Sequence, residues 1–181
     1  HAVMSTERRV HATAGNLNNH IGVPLTLLSM PVDTEFAIIE MGANKPGDIR
    51  ELAEIAEPTH GMVTNIGKAH LERFVDIEGV RRTKGEMYDF IRHASGTAFI
   101  NLRDPRVQGV AEGISQRITY GTQDADFHIV EMQNEPDHLL LGIEFKSRKE
   151  PHWFRSNIIG PHNAENVLAA VAIGHTFGVD I

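Results

Sequence analysis

Apolar positions along the chain follow two alternating rhythms. Phe36-Ala37-Ile38-Ile39, Met62-Val63-Thr64-Asn65-Ile66 and Thr97-Ala98-Phe99-Ile100 are short runs with the length of strands buried in a sheet. Helical spacings separate them. Pro46, after Gly42, opens a helix through about Ala56, a second runs from about Glu78 to His93, and Asp104-Pro105 opens a short third. This alternation predicts an α/β fold with a mostly parallel sheet flanked by helices.

From Arg117 to Ile158 the rhythm changes. Ile118-Thr119-Tyr120, Phe127-His128-Ile129-Val130, Leu139 to Phe145 and Trp153-Phe154-Arg155 read as consecutive strands with no helix between them, which predicts an appended antiparallel sub-sheet. A last helix spans about Asn163 to Phe177, with Ala164, Val167, Leu168, Val171 and Ala172 on its inner face and Asn163 as its N-cap. His175 shares that face and reads as a core histidine. The organisation expected is an α/β core over residues 1–116, the sub-sheet over 117–158 and a returning helix over 159–181. No strand pattern is read ahead of His1 and the chain stops just after a helix, so a piece of a longer protein is expected.

Composition narrows the chemistry. With 41% hydrophobic and 23% charged residues the 181-residue chain reads as globular. A formal charge of -7 argues against sequence-independent nucleic-acid binding, which needs a basic surface. The absence of cysteine excludes disulfides, thiolate metal sites and a cysteine nucleophile. No apolar run is long enough for membrane insertion and no charged-then-apolar leader opens the sequence, which fits a cytoplasmic location.

Gly61 to Ala69 superficially suggests a phosphate-binding loop. That loop needs glycine where Met62 stands and serine or threonine where Ala69 stands, so the match fails. The segment reads better as a strand end. Ligands of open α/β sheets bind beyond the carboxyl ends of strands, and two strands here end in polar residues: Glu40 to Asn44, and Thr64 to His70. Glu40 follows three apolar residues, where it either ligates a cation such as magnesium or forms a buried ion pair. His70 either joins that cation or caps a helix.

The helix after residue 76 places Ile77, Val80, Met87, Tyr88 and Ile91 on one face, with Lys84 in the middle of the stripe. The lysine either snorkels outward to an acid such as Glu86, or sits where its charge is disfavoured and its neutral amine can take up carbon dioxide as a carbamate. Asn16-Leu17-Asn18-Asn19-His20 is a loop dense in hydrogen-bonding side chains, suited to turn formation or to ligand contact. The remaining histidines have no zinc-ligand spacing.

Together these segments resemble the Mur ligase family. The carrying motifs, in order, are Gly15 to Thr26, Ile39 to Asn44, Thr64 to Glu72, Thr83 to Glu86 and Gly160 to Asn166, so the resemblance covers nearly the whole chain. The first motif is the most specific, and it points to the branch that adds D-alanyl-D-alanine to UDP-N-acetylmuramoyl-tripeptide in peptidoglycan synthesis. The resemblance implies the central ATP-binding domain of a three-domain enzyme that transfers the γ-phosphate of ATP to a carboxylate, whose acyl phosphate is then attacked by an amine. It also implies ATP and two magnesium ions as cofactors, and Glu40, His70 and a carbamylated Lys84 as metal-binding, catalytic residues. Asn163, His162, Asn101 and Asn65 would lie near the nucleotide, and Asn16, Asn18, Asn19 and His20 would face the muramoyl-peptide substrate.

Three departures accompany the resemblance. The family's Gly-x-x-Gly-Lys-Thr loop, expected shortly before His11, is absent from these residues, so the isolated chain is expected to be inactive. Leu102-Arg103-Asp104 replaces a commoner pair of acids before proline, and Arg73 stands where glycine is usual. A sister Mur ligase, a folylpolyglutamate synthase domain and a non-catalytic nucleotide-binding or interaction domain are the alternatives.

Overall fold

The computed structural model describes residues 1–67, 76–147 and 150–180. Among these, β1 (Val10–Ala12) and β2 (Phe36–Ile38) pair in parallel as a two-stranded sheet, Val10 opposite Phe36. A six-stranded sheet follows in the order β3 (His60–Met62), β4 (Thr97–Asn101), β5 (Arg117–Tyr120), β6 (Phe127–Asn134), β7 (Leu139–Phe145) and β8 (His152–Ser156). Strands β3 to β6 are mutually parallel, and β6 to β8 are antiparallel. The antiparallel strands are therefore continuous with the parallel sheet, and the segment at Arg117 belongs to the parallel part. Consecutive strands without a helix between them suggested otherwise, but β5 and β6 meet at only one residue pair, Tyr120 and Phe127.

The helices are α1 (Gly22–Leu28), α2 (Asp48–Ala56), α3 (Ile77–His93), α4 (Pro105–Val110) and α5 (Ala164–Thr176), with 3-10 turns at Met4–Thr6 and Pro161–Asn163. Side chains alternate across β4 and feed two cores. Ala98 and Ile100 join Val80, Tyr88 and Ile91 of α3 and Val107 of α4. Phe99 joins the other core, where Leu139, Leu141, Ile143 and Phe145 of β7 pack on Leu168, Val171 and Ala172 of α5. His175 is half-buried at the edge of this core, set against the rings of Phe127 and Phe145 at 5.5 and 4.8 Å.

The structure departs from the sequence reading at three strands. β1 has no counterpart in the sequence reading, because three residues including a histidine give too little alternation to register. β2 is partly exposed rather than buried. The strand expected at residues 62–66 is His60–Met62, after which Val63 and Ile66 stay buried in an extended loop.

Between β2 and β3 lies a cavity of about 1290 Å³, lined by residues of both strands. At the amino ends of these strands the ring of Phe177 wedges between Phe36 and His60, at 4.6 and 4.7 Å. That burial lowers the His60 pKa from its ordinary value. The carboxyl ends, where Glu40 and Asn65 follow, line the same space.

Candidate active site between the two sheets

β2 delivers Glu40 and the neighbouring loop holds it. The backbone N–H of Glu40 donates to Thr13 Oγ1 at 2.9 Å, and Asn18 Nδ2 donates to Glu40 Oε1 at 2.8 Å. The N–H of Gly42 donates to the Asn18 carbonyl at 2.7 Å, so the loop grips the strand end by both side chain and backbone. Glu40 is exposed rather than buried, which removes the buried-ion-pair alternative. Asn19 is spent differently: its Oδ1 accepts from the N–H groups of Ile21 and Gly22 and starts α1. Gly22 makes that turn possible, since a methyl group there would overlap the backbone of Leu17.

α3 delivers Lys84. Its Nζ donates to the Asn65 carbonyl at 2.6 Å, at the end of β3. Desolvation lowers its pKa from the ordinary lysine value, and the negative charge of Asp104 opposes that shift. Glu86 is not bound to this lysine. Its carboxylate accepts from Gly47 N at 2.8 Å and Arg50 N at 3.0 Å, capping the start of α2 from a neighbouring helix. Asp104 caps α4 through Oδ1 and accepts from Ile66 N at 2.9 Å through Oδ2, so it braces the loop beyond β3.

Asn101 ends β4 fully buried. Its Oδ1 accepts from Arg103 N at 2.9 Å and its Nδ2 donates to Glu165 Oε2 at 3.0 Å. Arg103 stands 3.7 Å from the same carboxylate. Burial, reinforced by Glu165, pushes the neighbouring Tyr120 up to about 12. Asn163 is the N-cap residue of α5, as expected, but its side chain makes no capping hydrogen bond: its Nδ2 donates back to the Ile159 carbonyl at 2.9 Å, ahead of the 3-10 turn that precedes the helix.

Of the residues singled out from sequence, Glu40, Lys84, Asn65, Asn101, His162, Asn18 and Asn19 all line the one cavity. Asn16, His20 and Asn163 do not, and His70 lies outside the described residues. Thr13 and Glu165 were missed. Thr13 carries no signal of its own, and an acid in the first turn of a helix reads equally well as a partner of the helix dipole. Among the described residues no three His, Asp or Glu side chains converge as a metal-binding group.

The chemistry available is that of hard oxygen donors and one half-buried amine around a space at strand carboxyl ends. Glu40 offers a carboxylate with one oxygen steadied by Asn18. As an ammonium, Lys84 cannot ligate a cation. As a carbamate it would add oxygen donors, which magnesium prefers.

Known proteins share this sequence pattern and fold. Residues 1–174 match the model of the Mur ligase middle domain. The UDP-N-acetylmuramoyl-tripeptide--D-alanyl-D-alanine ligase of Bacillus subtilis is 37% identical over 99% of this chain, and that of Escherichia coli 40% identical over 99%. The chain spans 38% and 40% of those two relatives. The crystal structure of MurF from Acinetobacter baumannii superposes with a TM-score of 0.89 at 30% identity, covering 99% of this chain and 39% of that one. Five motifs in order and a superposable fold across almost every residue leave one assignment: the chain belongs to the Mur ligase family, as a middle domain.

Proposed function

We propose that this domain is the nucleotide-binding centre of an ATP-dependent ligase that joins D-alanyl-D-alanine to UDP-N-acetylmuramoyl-tripeptide. The observation that carries the reading is convergence: residues from Asn18 to His162, chosen from sequence as substrate, metal and nucleotide contacts, line one cavity. The relatives from Bacillus subtilis and Escherichia coli are ligases of that name. In such a reaction the γ-phosphoryl group passes to the tripeptide carboxylate. The amine of D-alanyl-D-alanine attacks the acyl phosphate, and inorganic phosphate leaves as the amide forms. Substrates of this kind belong in the cytoplasm.

Glu40, His70 and Lys84 are the proposed magnesium-binding residues, and bound magnesium would neutralise charge on the transferring phosphoryl group. The protein supplies the rest by positioning. Asn18 holds the Glu40 carboxylate in place, and Lys84 is held against the Asn65 carbonyl at the mouth of β3. Desolvation favours the neutral amine of Lys84, which adds carbon dioxide and releases a proton to give an anionic carbamate. His162 and Asn101, which line the same cavity, are the proposed nucleotide contacts.

Glu40→Gln in the complete ligase tests the reading. Glu40 is exposed with a hydrogen-bond partner that the amide can still satisfy, so stability should change by less than about 0.5 kcal/mol. Turnover should fall by orders of magnitude. Unchanged turnover would remove Glu40 from the machinery, and carbon-13 NMR in labelled bicarbonate would show separately whether Lys84 carries a carbamate.

A further inference from the structure

The large cavity has a smaller neighbour of about 320 Å³, near the lower end of the roughly 300–1,000 Å³ usual for small-molecule sites. Ile129, Val130, Met132, Pro161 and Ala164 give it apolar surface, of the kind that takes the flat face of a base. Among the described residues, His162 and Glu165 alone line both spaces. Glu165 stands in the first turn of α5, and its Oε2 accepts from the fully buried Asn101 amide at 3.0 Å. Its Oε1 is 3.7 Å from Arg103 Nη1, beyond hydrogen-bond length, and accepts no hydrogen bond among the described residues. Arg103 is itself held, its Nε donating to the Gly121 carbonyl at 3.0 Å and its backbone N–H to Asn101 Oδ1 at 2.9 Å. The carboxylate therefore keeps one oxygen fixed and one open at the junction of the two cavities.

We propose that Glu165 binds the ribose hydroxyls of the nucleotide and so selects ribonucleotides over nucleotides that lack them. This rests on the domain's proposed role as an ATP site and names the residue that reads the sugar. In that role the phosphates lie with magnesium at Glu40 and Lys84, in the larger cavity. A nucleotide carries its ribose between base and phosphates, so a base in the smaller cavity brings the sugar to the junction. β4, which anchors Glu165 through Asn101, lies beside β3, where Lys84 sits against Asn65, so sugar and phosphates would occupy neighbouring strand ends. An ionised carboxylate only accepts hydrogen bonds, which suits a pair of hydroxyl donors and excludes phosphate. Acidic side chains bind ribose hydroxyls in the same way in dinucleotide-binding folds. Tying α5 to β4 uses only Oε2, so Oε1 remains for the sugar.

Steady-state kinetics of the complete ligase with ATP and with dideoxy-ATP, which lacks both sugar hydroxyls, test this. The KM for ATP should lie about tenfold or more below that for the analogue, the effect of losing a hydrogen bond to a charged group. Glu165→Gln still offers an oxygen to Asn101 and the side chain is 43% exposed, so the variant should melt with the parent. It should raise the KM for ATP about tenfold, leaving the KM for dideoxy-ATP and both kcat values within about twofold. An equal rise for both nucleotides, or none for either, would make Glu165 a support of α5 and overturn the proposal. Purine riboside triphosphate, which lacks the amino group of the base, should suffer from Glu165→Gln as much as ATP does. A smaller rise would assign Glu165 to the base and overturn the proposal too. A complete ligase that binds no Mg-ATP by titration would instead overturn the ATP site itself.

Discussion

Lys84 sits half-buried with its ammonium against the Asn65 carbonyl, and its phase on α3 already marked it as out of place among Val80, Met87 and Ile91. Desolvation disfavours the charged form, so the folded pKa lies below the ordinary lysine value of about 10.4. The sign for stability follows. Holding the cation costs nothing above the ordinary value, where the amine is neutral folded or unfolded, and the cost grows as pH falls through the lowered folded value. In competitive acylation across pH, Lys84 should therefore reach half-maximal reactivity below the ordinary lysine midpoint. A midpoint at or above it would mean that the Asn65 and Asp104 contacts outweigh desolvation. Asn18 shows the opposite case at the same scale. Its type suited a turn or a ligand, and nothing local announced that its amide would hold a carboxylate 22 positions away.

Helices were legible as elements because a 3.6-residue period persists over many residues: the observed α3, Ile77–His93, differs from the expected span by one residue. The strands β1, β2 and β3 are three residues each, too short for a period of two to identify reliably, and so their bounds moved or went unseen. How elements hold one another was not legible at all. The start of α2 depends on Glu86 of α3, which accepts from two backbone N–H groups there. Glu86→Ala should cost about 1–2 kcal/mol, the range for losing a helix cap, and lower Tm by several degrees. Glu86→Gln should recover part of this through its single acceptor oxygen. An unchanged Tm for Glu86→Ala would show that water serves the start of α2 equally well.

For the whole molecule, the two sheets with the cavity between them decide what the domain can do alone. No phosphate-binding loop occurs in residues 1–181, and such a loop supplies the backbone amides and lysine that hold nucleotide phosphates. Isothermal titration with Mg-ATP should therefore find the 181-residue chain at least tenfold weaker than the complete ligase, and equal affinities would sink that expectation. The order of the helices and of every strand after β1, the α/β class, the apolar faces and the motifs at strand ends were determined by the sequence itself, because hydrophobic period and turn residues act over a few neighbours. Only the tertiary structure decided that the antiparallel strands continue the main sheet. It alone brought Glu40 within reach of Asn18, set Lys84 against Asn65, and tied Glu165 to Asn101. Those outcomes depend on pairing and packing between residues tens of positions apart, a distance over which local pattern carries no information.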